Sequence, residues 1–388
     1  MASIQLKSAR SEAQDPKQIA DELMNQLGGF VPKLVTLFAS RDRDQRALNR
    51  ALRDRLPKGT RLIGSTTAGE IDRDGLHMGS VVLGALGGDF DVGLGLGGGL
   101  SRDAVAAGSQ AITRACEELG TRPADLSARK HVGVVVDDGF QSKKEELLLG
   151  ILDRNQGLVL VGGGASDGER DPSKQSAEIH VDGEVVSDAA FVALFHTDAP
   201  WAALRSHWYE PTGQMLTITK VDDTHRRALE IDGKPAALRY AELIGCTPEE
   251  LPFGMPKGIS HRPTAMKVGR EYFMRAGGWP LPDGSIVFAN LLEEHSEYEI
   301  MRALDPVEST RKFLTEEIGR RVHNPTAALM FHCGGRMWAA SAGGFIPQLS
   351  EAFKQAPPSV GFNVQFEIYC GFHINTTLTS LVFGTTQS

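Results

Sequence analysis

A short apolar run that ends in glycine, then small hydroxylated residues, then an acid, constrains this chain more than any other feature. Residues 61–64 read as a strand entering the loop Gly64-Ser65-Thr66-Thr67-Ala68-Gly69-Glu70-Ile71. The order returns where residues 158–161 enter Gly162-Gly163-Gly164-Ala165-Ser166-Asp167, and again where 359–361 enter the stretch from Gly361 to Glu367-Ile368. Gly64 and Gly361 are each followed by Glu six residues on and Ile seven on. Upstream of each lies a strand and then a helix: 33–40 and 44–56, 131–136 and 142–152, 327–331 and 345–353. Such a strand–helix–strand unit cannot bury its apolar face alone, so the copies must stack. The fold class expected is therefore α/β: repeated strand–helix–strand units with extra hairpins, forming layered mixed sheets in two modules.

The intervening segments complete the plan. Residues 77–87 and 90–98 are expected to pair around a Gly-Gly-Asp turn, and 177–187 to form a hairpin around Asp182-Gly183. A long helix is expected over 101–119 with Ser101 as N-cap. From about residue 216 a new module begins, with strands at 227–232, 235–238, 271–274 and 285–290. Asp305-Pro306-Val307-Glu308 has the N-cap, N1 and N3 residues of a helix running to about Arg321. The modules are placed at residues 25–220 and 221–388.

Composition narrows the function classes. A formal charge of −8, with basic residues interspersed among acidic ones, argues against a nucleic-acid partner. Residues 1–18 are polar and lack the apolar core of a signal peptide, and no run reaches the length of a membrane span. Cys116, Cys246, Cys333 and Cys370 have no C-x-x-C spacing and read as reduced thiols, so a cytoplasmic protein without a membrane partner is expected.

Each chemical motif has a plainer structural explanation. Gly93-x-Gly95-x-x-Gly98 matches a dinucleotide fingerprint, but the acid required at the end of the next strand arrives too late at Asp137-Asp138. A nucleophile among Ser65, Thr66 and Thr67 has no assignable base, so neither an NAD(P)-binding nor a hydrolytic enzyme is favoured, and no catalytic residue is assigned. The loops instead suit small-ligand binding, through exposed amides and hydroxyls at strand ends. Glu70 would bind an ammonium or cap a helix. The ligand-binding candidates are Gly64, Ser65, Thr66, Thr67, Glu70, Gly162, Gly163, Ser166, Asp167, Arg336, Glu367, Asn375 and Thr376. Arg336 past a strand end suits a carboxylate. His332–Cys333 and Cys370-x-x-His373 form no established zinc pattern, and no metal site is assigned.

These strings resemble the FIST family. Ile63 to Ile71 resembles the N-terminal signature, usually of I-G-C-S-T-A-G-E-I type, and Val159 to Asp167 the same module's second glycine-rich stretch. Phe331-x-Cys333-x-x-Arg336, Gly361 to Ile368 and His373 to Thr379 resemble the C-terminal module. Two departures stand out: Ser65 replaces a common cysteine, and Phe366 replaces a common glycine, which implies a narrower or differently shaped pocket. The resemblance implies a sensory protein binding a small ligand, an amino acid or similar metabolite, and signalling through a partner protein. In the alternative it implies, haem is bound for nitric-oxide sensing, with a histidine kinase or cyclic-di-GMP enzyme as partner. His332 and His373 are then the candidate axial ligands. Homo-oligomerisation is compatible with either.

Overall fold

The computed structural model describes residues 2–169 and 171–386. It is a mixed α/β structure in which one four-stranded arrangement occurs three times. In the first unit Leu34–Ser40 and Arg61–Thr67 pair in parallel, joined by the helix Gln45–Arg53, whose N-cap Asp44 accepts from the Ala47 N–H. Val81–Gly88 lies antiparallel beside Leu34–Ser40, and Ile4–Ser11 lies antiparallel outside it. The second unit repeats this with His131–Asp138, Val159–Ala165, Ala189–His196 and Asp91–Gly98. The third does so with Ala327–Cys333, Ser359–Tyr369, Leu378–Phe383 and Trp201–Ser206.

The units are joined by exchange. Glu70–Asp72 of the first unit pairs with Ser359–Tyr369 of the third. The last residues of Ser359–Tyr369 pair with Val159–Ala165 of the second, and Ile179–Val181 of the second pairs with Arg61–Thr67 of the first. One clasps three, three clasps two, and two clasps one. The cycle of main-chain pairings closes into a ring.

The inner faces of the three units supply one core, where Phe38 meets Phe362 at 4.6 Å and Phe195 meets Phe383 at 5.6 Å between ring centroids. The outer faces are covered by helices, through Leu48 and Leu52, through Ala107, Ala111 and Ala115, and through Leu349 and Phe353. Burial on both faces explains why the parallel strands read as unbroken apolar runs.

Several expectations change. The strands at 81–88 and 91–98 do not form a hairpin: they belong to different units. Val81–Gly88 finds long partners on both sides, and one of them is Ile4–Ser11, from the stretch read as merely polar. Gly64, Gly162 and Gly163 lie within strands, not in loops. The helix Leu100–Glu118 is capped by Gly99, while the Ser101 hydroxyl donates to Asp188. Residues 236–238 open the helix Ala236–Ile244 instead of forming a strand. The helix at Asp305 starts as expected, with the Asp305 carboxylate accepting from the Val307 and Glu308 N–H groups.

The dinucleotide fingerprint also dissolves. A methyl group on Gly93, Gly95 or Gly97 would lie 2.0, 1.8 or 1.9 Å from the carbonyl oxygens of Ala115, Ala111 and Ala107. These alternating glycines let the long helix lie flat on Asp91–Gly98.

Residues 209–303 depart from the threefold plan. They leave the third unit after Trp201–Ser206, form an eight-stranded sheet, and return before Pro306–Lys312. A cut at 220/221 falls inside the strand Tyr209–Val221, and the 11-stranded sheet draws strands from both sides of it.

Gly361 marks the tightest joint of the third unit: a methyl group there would lie 2.0 Å from the Met330 carbonyl oxygen. Gly361→Ala should therefore cost about 3 kcal/mol or more, because backbone on both sides must move. Gly319→Ala, with nothing within 4 Å in a helix, should stabilise by ~0.5–1 kcal/mol. Urea unfolding of the two variants checks the contrast.

Candidate functional site

The three parallel strand pairs end at one place, and the small residues flagged in the sequence tie those ends together. The Ser166 hydroxyl donates to the Asn363 carbonyl (2.7 Å) and accepts from the Ala68 N–H (3.1 Å), while the Ser166 N–H donates to the Thr66 carbonyl. The Asn363 N–H donates to the Gly69 carbonyl at 2.7 Å. The Thr66 hydroxyl accepts from the Glu178 N–H, and Asp167 pairs with Arg41 and accepts from the Ser176 N–H. Gly162 and Gly163 face Val135 and Phe366 backbone at contact that no side chain permits. Ser65 is fully buried, with its hydroxyl unpartnered.

Glu70 and Glu367 are counterparts in three dimensions. Each has a serine or threonine ten residues later that donates to it twice, through N–H and hydroxyl: Ser80 to Glu70, and Thr377 to Glu367. The Ser80 and Thr377 carbonyls in turn accept from the Ser40 and Cys333 N–H groups. In the second unit Ile179 takes the corresponding register position, opposite Ser65, as Glu70 stands opposite Phe362 and Glu367 opposite Gly163.

The two acids differ at their second oxygen. Glu70 Oε1 accepts from the Thr67 hydroxyl. The residue that matches Thr67 in the third unit is Val364, which has no hydroxyl, and Glu367 Oε1 is left with no hydroxyl or N–H donor among the described residues, only the weakly donating Cys333 thiol nearby. Burial pushes the Glu367 carboxyl up to about 8, against the pull of Thr377, Cys333 and the nearby Arg336. Burial likewise pushes the Cys333 thiol well up, with the Glu367 charge adding to it. Glu70 is raised for the same first reason, burial.

Arg336, 1% exposed, completes the cluster. It donates to the Thr310 hydroxyl at 2.7 Å and the Ser206 carbonyl at 3.2 Å, and lies 4.1 Å from the Trp208 ring centroid. Its Nε has no acceptor among the described residues. Burial lowers it to about 10. The loop over the cluster is strained: Thr376 holds φ at 55° and Phe366 at 64°, a region that β-branched and bulky residues avoid. Gly79 and Gly69 occupy the matching places in the first unit. The strain aims the Thr376 N–H at Cys333 Sγ (3.1 Å) and the Thr377 N–H at Glu367. Asn375 reaches the other way, bonding both backbone groups of Ala276 and so docking residues 209–303.

Of the sequence candidates, Arg336, Glu367 and Thr376 lie around this cluster and Asn375 turns to Ala276, while Ser80 and Thr377 were not among the candidates. Their signal was available, because the spacing from each glutamate is the same. His332 and His373 have separate surroundings. His332 bonds Asn363 and packs on Phe353, whereas His373 Nδ1 lies 2.9 Å from Glu145 and its ring meets Phe366.

The models of the FIST N domain and the FIST C domain match residues 33–234 and 236–370. The chain belongs to the FIST family. FIST domains are sensory domains implicated in signal transduction. A comparison with curated proteins finds no match. Among solved structures, cyanuric acid hydrolase from A. caulinodans is 9% identical, covering 99% of this chain and 100% of its own, at a TM-score of 0.39. T. maritima PurL complexed with ATP is 10% identical over 98% and 71%, at 0.19. Scores this low carry no functional weight. No helix among the described residues is long and apolar enough to cross a membrane.

The raised Glu367 sets a pH dependence. Its folded value of about 8 lies above the unfolded value near 4.3, so the native state holds the extra proton. Stability from this group is full below the unfolded value and is lost as pH rises toward 8. Glu367→Gln should flatten the stability decline between pH 5 and 8, measured by denaturant titration at each pH.

Proposed function

We propose that this FIST protein senses a small zwitterionic metabolite, an amino acid or close relative, and signals through a partner protein without catalysis of its own. The observation that carries this reading is the contrast between the two acids: Glu70 Oε1 accepts from the Thr67 hydroxyl, whereas Glu367 Oε1 has only the weak Cys333 thiol beside it, and Arg336 Nε has no acceptor among the described residues. Buried polar groups without partners are costly, so such a pair invites a ligand with a donor for one and an acceptor for the other. An ammonium at Glu367 and a carboxylate at Arg336 meet that need.

Entry requires the strained 375–377 loop to move, and the same loop docks residues 209–303 through Asn375. Ligand binding would thus alter how that sheet sits on the ring, which supplies a route to a partner histidine kinase or cyclic-di-GMP enzyme. Asn363, Ser166 and the glycines shape the ring in this reading and do not touch the ligand.

A thermal-shift screen of amino acids tests it. A ligand at a hundred times its Kd stabilises by about 2.7 kcal/mol, and the shift should vanish in Glu367→Gln. Turnover of a substrate that requires Ser65 or Thr66 would show the reading wrong. Val364→Thr gives a second check by restoring the first unit's bond. It should stabilise the free protein by ~1 kcal/mol and weaken the ligand-induced shift.

The haem reading has one supporting observation. His373 Nε2 has no partner and His373 lies on the wall of a cleft, while Glu145 holds the other nitrogen, an arrangement that suits a metal-binding imidazole. Haem reconstitution should then give a Soret band that His373→Ala removes and His332→Ala does not.

A further inference from the structure

A second cleft lies away from Glu367, between the helix Lys144–Leu152 of the second unit, the turn before Phe372–Ile374 of the third, and Arg275 of the inserted sheet. Its volume is about 350 Å³, within the range of small-molecule sites. One wall is apolar. Leu148 is buried there, but Leu149 is 62% and Phe372 36% exposed, and both belong to the few large apolar side chains left in water. Exposed apolar residues flanking a concave surface mark binding sites more often than bare surface.

The polar wall is unevenly matched. Glu145 accepts from the Leu291 N–H at 2.9 Å and lies 3.6 Å from Arg226, so its charge is answered; it is held down to about 2, where burial is outweighed mainly by His373. Arg275 is different. It donates to the Leu291 carbonyl, its Nε is buried without an acceptor, and no carboxylate lies within ion-pairing distance among the described residues. His373 Nε2, 3% exposed as a residue, is also unpartnered among the described residues, and burial lowers that imidazole against the opposing pull of Glu145.

We propose that this cleft binds a small apolar carboxylate, its oxygens on the Arg275 guanidinium and its hydrocarbon body against Leu148, Leu149 and Phe372. A guanidinium without a carboxylate partner is the planar donor that a carboxylate fits. Where the ligand carries a hydroxyl or amide N–H, His373 Nε2 accepts it. The site lies on the sensory reading above without depending on Glu367. Its occupant presses on the hairpin whose inner strand carries Glu367, since His373 pairs with Ile368 and Ile374 with Glu367. Two ligands bound to one hairpin influence one another reciprocally.

Calorimetry with 3-phenylpropanoate, and with its neutral amide as control, tests the assignment on the full chain. The carboxylate should bind, and Arg275→Gln should weaken it by roughly tenfold or more, the loss expected for a charge-assisted hydrogen bond. Because Arg275 also bonds backbone, the surface variant Leu149→Asp serves as a second probe: it leaves the fold intact and should repel the anion at the cleft mouth. Glu367→Gln should leave this binding present while removing the amino-acid shift, which separates failure of one site from failure of the other. Equal affinity for acid and amide, or no effect of Arg275→Gln and Leu149→Asp, overturns the proposal. So does a His373-dependent Soret band, which assigns the cleft to haem.

Discussion

Three strands lie so close to a neighbour that only hydrogen fits between them. At Gly64, Gly162 and Gly361 a methyl group would sit 2.0, 1.8 and 2.0 Å from the carbonyl oxygens of Leu37, Val135 and Met330. Each of these glycines is also a point where a visiting hairpin pairs: His180 opposite Gly64, Ile368 opposite Gly162, Ile71 opposite Gly361. The close approach inside a unit and the exchange between units therefore share a residue. The ring closes only because all three positions lack a side chain.

That constraint explains what was legible. The repeating glycine, the Glu-Ile pair six and seven residues later, and the apolar strands before them are local consequences of the shared geometry, so they survive in the sequence. What was missed depends on partners distant in the chain. Nothing local says that Val81–Gly88 pairs with Ile4–Ser11 and not with Asp91–Gly98, since both choices satisfy the same alternation. Strand glycines likewise look like loop glycines until the opposing carbonyl is known. The G-x-G-x-x-G string has a related origin at its first two glycines, Gly93 and Gly95, which a helix lying on alternate positions of the strand requires; Gly98 has open space.

The site shows the same division. Glu70 and Glu367 could be matched by spacing alone. Their different states could not, because the difference lies in one hydroxyl at Thr67 that Val364 lacks, and in a buried arginine supplied by the helix Gly334–Gly343. Symmetry supplies the scaffold, and one departure from it leaves a carboxyl oxygen with only a thiol as its nearby donor among the described residues. Strain at Phe366 and Thr376 is confined to the same copy, where Gly69 and Gly79 leave the first unit relaxed.

The inserted sheet enters the ring beside Trp208 and leaves it beside Leu304, and the Leu304 N–H donates to the Trp208 carbonyl at 2.8 Å. Its two ends are thus stitched together at the border. A segment with such a neck can lengthen, shrink or be exchanged without breaking any pairing of the three units.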